Sequence, residues 1–363
     1  MKIIYINGRF LTQTVTGVQR YAIEIVKSLD QLLSKGIINN DAFKFIILVP
    51  KNTENRLVLD NIKIQHVGNL EGHLWEQLEL PFFASKGMLL NLCNTAPIFF
   101  KNQLLTIHDA SISANKQNYS LPFKFWYRFL YKLLPYRTKK IITDSEFSKS
   151  EILKYFTFKE NKIKVIYLGT EHLKQIEPDN HVLKKHNLGE KPYILAVSNM
   201  NPNKNFSGII DALKYLNHSN IEIVIVGPKD NPIYGDVDLQ VSSRIKLVGY
   251  VSDEELSALY QKASGFVYPS FYEGFGLPPL EAMLNGCPVI ASNKASLPEV
   301  LGDAAVYCNP HRPEDIAEKI EQVLVNEKLR NEMKIKGLER VDRYSWENCT
   351  RSIYEEILEV MKL

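Results

Sequence analysis

Residues 273–291 read EGFGLPPLEAMLNGCPVIA, and this stretch predicts the class of the fold. The apolar run GFVYP at 265–269 precedes it and is typical of a short buried strand that a proline ends. The chain then turns through two glycines, and the prolines at 278–279 open a helix that carries Glu281 in its first turn and ends at Asn285-Gly286. A strand, a glycine turn and a helix in this order indicate one unit of an open α/β sheet.

A carboxylate stands on each side of this glycine turn, Glu273 before it and Glu281 after it. Open α/β sheets bind ligands in crevices at the carboxyl ends of their strands, so both side chains can face one such crevice. Gly274 and Gly276 let backbone N–H groups approach a polar ligand, and the helix N-terminus favours a diphosphate. The stretch therefore predicts a binding site for a nucleotide sugar, whose hydroxyls donate hydrogen bonds to the carboxylates. Taken singly, Glu281 could instead only complement the helix dipole, and Glu273 could be a solvated loop residue.

The whole pattern from Glu273 to Glu281 resembles the signature of the family-four retaining glycosyltransferases, which have the GT-B fold. The resemblance implies an α/β protein with two Rossmann-like parallel-sheet domains that face an interdomain cleft. It implies that Glu273 contacts the donor sugar and that Glu281 holds the ribose of the nucleotide. The residues between them that are expected to line the same site are Gly274, Phe275, Gly276 and Leu277.

Length and composition agree with two domains, because a chain of 363 residues exceeds the size at which a single core keeps growing. The hydrophobic content of 45% is ordinary, and no apolar run approaches the roughly 18 residues of a membrane span or forms a signal peptide. The cysteines are scattered without the spacing of a metal or redox motif. These features predict a cytoplasmic protein.

The basic residues are concentrated in the first half, with a formal charge of +10 over residues 1–185 and −7 over the rest, which together give +3. Within that half, LPFKFWYRFLYKLLPYRTKK at 121–140 combines apolar residues at helical spacing with a basic face. It predicts either a helix at the inner face of the plasma membrane, in contact with anionic lipid, or a core-facing helix with solvated charges. Nucleic acid is not expected as a partner, because no nucleic-acid-binding motif is present.

Apolar runs alternate with helical patterns and predict a doubly wound parallel sheet in each half. The predicted strands lie at 3–6, 45–49, 88–92, 104–107, 141–143, 163–167, 193–197, 221–226, 245–248, 265–268 and 288–291. A polar link at 170–190 sets the boundary near residue 180. The predicted domains are an acceptor domain at 1–180, a nucleotide-sugar domain at 181–345 and a C-terminal helix at 346–363 that crosses back to the first domain, as is typical of GT-B proteins.

Two features of the first half resemble the donor site of the family. Gly17 and Val18 open the first helix in a turn that suits a phosphate, and a glycine loop here contacts the donor diphosphate in the family. The turn lacks the G-x-G-x-x-G pattern, which argues against a dinucleotide-binding dehydrogenase. His108 follows a predicted strand, where the family commonly has a histidine near the donor sugar and the acceptor. His108 is therefore predicted as a catalytic residue, with Asp109 as its supporting neighbour.

The segment SNMNPNKNF at 198–206 carries the predicted cation of the site. Cleavage of a sugar–diphosphate bond leaves negative charge on phosphate oxygens, which a fixed cation stabilises. The segment resembles the family's Arg-Lys-Asn phosphate motif, so Lys204 inherits that role, and Ser198 and Asn199 are expected to line the site. Asn203 stands at the usual arginine position, and Ser198 stands where some members have another arginine. Diphosphate binding is thus expected to depend more on Lys204 and backbone donors than it does in other members of the family, or to use an arginine from elsewhere in the chain.

Tyr250 and Val251 belong to a Gly-aromatic-Val-Ser segment that lines the nucleobase pocket in the family. Asp236 and Asp238 have the spacing of metal-binding transferases, but they follow a polar loop instead of an apolar strand. They are interpreted as a solvated turn. No metal and no cofactor is predicted, because the nucleotide sugar is a substrate.

These features predict a metal-independent, retaining glycosyltransferase that moves a hexose from a nucleotide donor to a hydroxyl of a lipid-linked or polysaccharide acceptor. Lys204 and backbone N–H groups are expected to stabilise the leaving diphosphate. The resemblance implies that the departing phosphate takes the acceptor's proton. The segments TGVQRY at 16–21 and LWEQ at 74–77, with His108-Asp109, resemble mannosyltransferases of bacterial O-antigen assembly. GDP-mannose is therefore the first expected donor, followed by dTDP-rhamnose or a UDP-sugar. A GT-B epimerase or phosphorylase and a non-catalytic sugar-nucleotide-binding partner are the alternatives.

Overall fold

A computed structural model describes residues 2–39, 42–54, 57–115, 117, 119–174, 176–197, 201–217, 220–228 and 243–362. The chain forms two compact units, of which the first combines Met1–Gly169 with Ser345–Leu363 and the second is Thr170–Tyr344. The division falls earlier than the predicted boundary near residue 180. The reason is that the 3₁₀ turn Glu171–Leu173 packs against the helix Leu277–Leu284 of the second unit.

The first unit is built on a parallel sheet whose strand order is β3-β2-β1-β4-β5-β6-β7. Its strands are β1 (Lys2–Asn7), β2 (Phe43–Pro50), β3 (Lys63–Val67), β4 (Met88–Asn91), β5 (Gln103–Thr106), β6 (Lys140–Thr143) and β7 (Ile163–Val165). The central strands are continuous buried runs, as expected for a parallel sheet covered on both faces. The strand β3 was not predicted because its sequence KIQHV is largely polar and exposed at the sheet edge.

Helices cover both faces of this sheet. They are Gly17–Ser34, Gly72–Leu74, Leu80–Phe83, Ser111–Ala114, Leu121–Leu133, Glu146–Tyr155 and Trp346–Met361, with a π-helical turn at Trp75–Glu79. The C-terminal helix packs on Gly17–Ser34, where the rings of Tyr21 and Trp346 lie 6.1 Å apart edge to face. The C-terminal residues thus complete the first unit. Among the described residues, no helix combines the length and the apolar character needed to cross a membrane.

The helix Leu121–Leu133 has a buried face and an exposed aromatic face. The core side is formed by Tyr127, Leu130 and Tyr131, whereas Phe125 is 76% exposed and Phe129 is 42% exposed. The apolar residues of this segment therefore do not all face the core. Tyr127 and Tyr131 occupy core positions, whereas Phe125 and Phe129 face solvent. The helix faces the core, as one of the two alternatives predicted, and still presents aromatic side chains to solvent.

The second unit contains a parallel sheet in the order β10-β9-β8-β11-β12-β13. Its strands are β8 (Tyr193–Val197), β9 (Glu222–Val226), β10 (Ile245–Gly249), β11 (Gly265–Tyr268), β12 (Val289–Ser292) and β13 (Ala305–Cys308). The helices are His181–Lys185, Phe206–Ala212, Asp253–Lys262, Leu277–Leu284, Leu297–Leu301, Pro313–Val325 and Glu327–Val341. The strand β13 was not predicted; it lies at the edge of the sheet, and three of its four residues AVYC are only half-buried. The predicted α/β class with two parallel sheets is confirmed.

Candidate active site

Lys204 lies beyond the carboxyl end of β8 and contacts Glu273 and Tyr268. Its Nζ lies 2.7 Å from Glu273 Oε1, 2.8 Å from Glu273 Oε2 and 2.8 Å from Tyr268 Oη. Burial opposes the charge, yet the Glu273 carboxylate raises the pKa of Lys204 above its ordinary value. The lysine is therefore a fixed cation in direct contact with the carboxylate that the sequence assigns to the sugar.

The turn that carries Lys204 is held by the next residue, Asn205. Asn205 adopts a left-handed conformation with φ of 57° and caps the following helix by accepting from the N–H of Gly208. Its Nδ2 donates to the carbonyl oxygens of Pro269 at 3.1 Å and Pro310 at 2.7 Å. Because Pro269 follows β11, these bonds fix Lys204 against the end of that strand.

Asn203, which replaces the arginine of the family motif, is buried and 6% exposed. Its carbonyl oxygen accepts a hydrogen bond of 2.8 Å from the N–H of Phe271. The backbone at Asn203 thus connects the lysine turn to the loop that leads to Glu273.

The predicted glycine turn and helix start are confirmed. Gly276 has a φ of 100° and precedes the first residue of the helix Leu277–Leu284. A Cβ at Gly276 would lie 2.6 Å from Leu297 Cδ2, so glycine is needed for both conformation and space. Ser296 Oγ lies 3.0 Å from the carbonyl oxygen of Glu273 and 3.1 Å from that of Phe275. The turn is therefore held by the conformation of Gly276 and by the contacts of Ser296.

Glu281 lies in the second turn of its helix and not in the first, because the helix begins at Leu277. Its Oε1 lies 3.1 Å from His172 Nε2, and its Oε2 lies 3.4 Å from Tyr260 Oη. The side chain is only 13% exposed. Glu281 is thus oriented by two polar partners and does not act as a solvated residue at the positive end of the helix dipole.

The residues predicted for the nucleobase lie elsewhere on the sheet. Tyr250 is 76% exposed and Val251 is half-buried, and both follow β10. The strands β9 and β8 separate β10 from β11, so this segment is not adjacent to the glycine turn in the sheet order. Its role stays a prediction. Ser198, Asn199, Asp236 and Asp238 lie outside the described residues.

In the first unit, His108 is buried, and both of its ring nitrogens face acceptors. Nδ1 lies 2.7 Å from Asp144 Oδ2, and Nε2 lies 3.0 Å from the carbonyl oxygen of Leu92. Burial opposes protonation, but Asp144 raises the pKa of His108 above its ordinary value. Both ring nitrogens thus lie within hydrogen-bonding distance of an acceptor, an arrangement that favours the protonated ring.

The carboxylate that supports His108 is Asp144 and not the predicted Asp109. Asp109 Oδ1 accepts instead from the backbone N–H of Ser111 at 2.8 Å. His108 follows β5 and Asp144 follows β6, which are neighbours in the sheet. The carboxyl ends of neighbouring parallel strands bring together residues that are distant in the sequence.

Gly17 begins the helix Gly17–Ser34 and is exposed. An added Cβ there would meet nothing within 4 Å, so the space beside Gly17 is open, while Thr16 and Gln19 form a capping box at the helix start. Val18 is half-buried, and its carbonyl oxygen lies 3.7 Å from Cys93 Sγ. One turn further along the helix, Tyr21 packs edge to face on His108 at 4.8 Å. The first unit thus brings this helix start and His108 to the same edge of its sheet.

Several side chains that complete these contacts were not predicted. Tyr268 ends an apolar strand and Asp144 follows one. Their position at strand ends could therefore have indicated that they belong to the site. His172 and Tyr260 gave no such signal, because they meet Glu281 only in the folded chain.

Comparison with known proteins identifies related sequences and folds. A family model described as glycosyl transferases group 1 matches residues 179–340. O-antigen chain mannosyltransferase B of Escherichia coli is 31% identical over 382 residues, which cover 96% of this chain and 97% of that protein. O-antigen chain mannosyltransferase RfbU of Salmonella typhimurium is 34% identical over 231 residues, 63% of this chain and 62% of that protein. The structure of sucrose-phosphate synthase from Thermosynechococcus elongatus superposes with a TM-score of 0.79 at 19% identity over 100% of both chains. This likeness concerns the fold alone and confirms the predicted GT-B class.

Proposed function

The chain belongs to the group 1 glycosyltransferases, and on this basis we propose that it transfers mannose from GDP-mannose to a growing surface polysaccharide. The acceptor is a hydroxyl of a lipid-linked or polymeric glycan, and the new bond retains the anomeric configuration of the donor. The names of the related O-antigen mannosyltransferases support the sugar and the type of acceptor. The observation that carries the proposal is the contact of Lys204 with Glu273 and Tyr268 beside the Gly276 turn.

The Lys204–Glu273 pair suits a donor that carries negative charge next to a sugar. When the diphosphate binds, it replaces Glu273 as the partner of Lys204, and the freed carboxylate accepts hydrogen bonds from sugar hydroxyls. Charge that develops on the leaving phosphate then meets an ammonium that is already in place. The lysine supplies the positive charge that a metal ion supplies in other transferases, so the proposed reaction is metal-independent.

Binding and transfer test this proposal with the purified chain. A thermal-shift panel compares GDP-mannose, dTDP-rhamnose and UDP-glucose, and GDP-mannose is expected to raise the melting temperature most. Transfer from GDP-mannose to octyl α-mannoside is expected to continue in EDTA and to give an α-linked product by NMR. A larger increase in melting temperature with another nucleotide sugar would exclude mannose as the donor sugar. A β-linked product would exclude retention.

The proposal includes contact between the first unit and an anionic membrane. The helix Leu121–Leu133 exposes Leu121, Phe125 and Phe129 at intervals of about one turn. Lys124 and Arg128 lie between them, and Lys132 lies in the next turn. Among the described residues, the exposed phenylalanines all belong to the first unit: Phe82, Phe99, Phe123, Phe125 and Phe129. Aromatic and basic side chains together suit the headgroup layer of a membrane.

A matched pair of variants tests this contact. Replacement of Lys124, Arg128 and Lys132 by glutamate is expected to abolish sedimentation with phosphatidylglycerol vesicles, since each basic residue near the surface contributes about 1 kcal/mol. Replacement of the exposed Lys44, Lys51 and Lys63 by glutamate, elsewhere in the same unit, serves as the control with the same change in charge. Equal recovery of all proteins with the vesicles would exclude this helix as the membrane contact.

A further inference from the structure

The LWEQ segment at 74–77 is the motif of the first unit that the donor site does not use. Its Glu76 is 1% exposed and lies in the π-helical turn Trp75–Glu79. Oε1 accepts from Asn7 Nδ2 at 2.9 Å, Arg9 Nε at 3.1 Å and Thr95 Oγ1 at 2.8 Å. Oε2 lies 3.3 Å from His73 Nδ1. A buried carboxylate therefore organises the polar side chains around it.

The position of this network is one where α/β proteins bind ligands. Asn7 ends β1 and donates to Asn91, which ends the neighbouring β4, with a bond of 3.0 Å. The network thus lies at the carboxyl edge in the middle of the sheet, where crevices for ligands form. π-Helical turns are rare and frequently occur at functional sites.

Three groups around Glu76 keep unused hydrogen-bonding capacity. Within the described part of the chain, Arg9 Nη1, His73 Nε2 and Tyr127 Oη have no hydrogen-bond partner. The side chain of His73 is 35% exposed and that of Arg9 is 9% exposed. Burial raises the pKa of Tyr127 to about 12, so its hydroxyl remains a donor at neutral pH. The network can therefore donate and accept hydrogen bonds at its outer side.

Aromatic rings stand next to these groups. The His73 ring lies 5.4 Å from the ring of Trp126 and 6.3 Å from that of Tyr127, both edge to face. The ring of Tyr127 lies 4.4 Å from that of Phe123. Sugar rings present both C–H groups and hydroxyls, and sites lined by aromatic rings with a few fixed polar groups suit such ligands.

The charge of the network decides which ligand it suits. Arg9 and Glu76 are in contact and neutralise each other, so the network offers no net positive charge to a phosphate. Arg9 and neighbouring donors oppose the effect of burial and lower the pKa of Glu76, which keeps the carboxylate charged. An arginine that already has a carboxylate partner can still donate to neutral hydroxyls.

We propose that His73, Arg9 and Tyr127 form a binding site for a neutral sugar residue of the acceptor glycan. Glu76 contacts His73 and Arg9 and holds their side chains in position. The His73 Nε2 lone pair accepts from one hydroxyl, while Arg9 and Tyr127 donate to others. Trp126 packs against the sugar ring. This assignment rests on the proposed glycan acceptor and gives the LWEQ segment a positioning role in the transferase reaction.

Binding of methyl α-mannoside to the full chain without GDP-mannose tests the site by saturation-transfer NMR. His73→Ala and Tyr127→Phe are each expected to weaken binding about 5- to 10-fold, because each removes one hydrogen bond of about 1 kcal/mol. His73→Gln is expected to retain most of the binding, since an amide can both contact Glu76 and accept from a hydroxyl. The control is His66→Ala, which removes an exposed histidine of the same unit.

Unchanged mannoside binding in His73→Ala and Tyr127→Phe would overturn the assignment. Displacement of the mannoside by millimolar inorganic phosphate would also overturn it, because that result would indicate an anion site. Tyr127→Phe preserves the packed ring, so it remains informative if His73→Ala does not fold. GDP binding, measured on the same proteins, is expected to stay the same. Absence of GDP binding in every protein would count against the proposed donor and leave the mannoside result standing.

Discussion

Each unit holds a buried carboxylate in contact with a cation at the carboxyl edge of its sheet, and the two pairs differ in their surroundings. Glu273 directs both oxygens to Lys204, whose side chain is 20% exposed. Glu76 contacts Arg9 but also Asn7, Thr95 and His73, and it is 1% exposed. A carboxylate with many partners is costly to uncover, whereas one with a single cation can exchange it for a charged ligand. We therefore expect the pair of the second unit to open when the diphosphate binds and the network of the first unit to stay closed.

The largest expected effect is that of Lys204→Ala. Loss of one preorganised charge opposite the leaving group typically costs 100- to 1,000-fold in turnover, and we expect kcat for mannose transfer to fall by about this factor. Lys214→Ala is the control, since this exposed lysine follows the helix Phe206–Ala212 and pairs with Asp211. Steady-state kinetics with GDP-mannose check the prediction, and a decrease of less than about threefold would remove Lys204 from the mechanism.

Glu273→Gln is expected to separate binding from transfer. The amide keeps the shape of the side chain but releases the Lys204 ammonium, so GDP should bind several-fold more tightly. Transfer should fall about 100-fold, because the sugar loses a charged hydrogen-bond acceptor. Calorimetric titration with GDP and single-turnover transfer assays measure the two effects. Weaker GDP binding together with normal transfer would show that the pair does not open for the diphosphate.

His172→Ala is expected to act on the ribose through Glu281. Loss of the 3.1 Å contact leaves the carboxylate poorly oriented, so the KM for GDP-mannose should rise about 10-fold with little change in kcat. His172→Gln should restore most of the loss by donating from its amide. The effect should be absent when the binding of 2′,3′-dideoxy-GDP is measured, since that ligand lacks the hydroxyls. A loss of the same size for GDP and its dideoxy form would assign His172 a purely structural role.

The smallest expected effect concerns the closed His108–Asp144 pair of the first unit. The raised pKa of His108 in the folded state means that its contribution to stability is complete below the unfolded pKa of about 6.5 and is lost as pH rises through the folded pKa. Urea unfolding from pH 5 to 9 should therefore show stability falling with pH, by at most about 1.4 kcal/mol per unit of pKa difference. His108→Gln should remove that slope. A slope that persists in the variant would assign the pH dependence to other groups.

The difference between the two units also explains what the sequence could predict. The donor site is local, since Glu273, Gly276 and the helix start follow one another along the chain, and the structure confirms their order. The alternation of apolar runs with helical patterns likewise predicted the parallel sheet of each unit. The helix begins at Leu277, one residue earlier than predicted, and this shift places Glu281 just beyond the first turn.

The side chains of the first unit were less predictable, because they meet across neighbouring strands. Asp144 is distant from His108 in sequence, and the adjacent Asp109 was the more obvious partner. The helix Leu121–Leu133 places Tyr127 and Tyr131 in the core, whereas hydrophobicity alone favoured Phe125 and Phe129. Such choices depend on the shape and the hydrogen-bonding partners of the core, which periodicity does not report.

The most direct test of the division between the units is a crossed measurement of KM in two variants. Transfer from GDP-mannose to octyl α-mannoside is measured while each substrate is varied in turn. His73→Ala is predicted to raise the KM of the acceptor about 5- to 10-fold and to leave that of GDP-mannose unchanged, and Glu281→Ala is predicted to do the reverse. If both variants raise the KM of the same substrate, the assignment of the acceptor to the first unit and of the nucleotide sugar to the second is wrong.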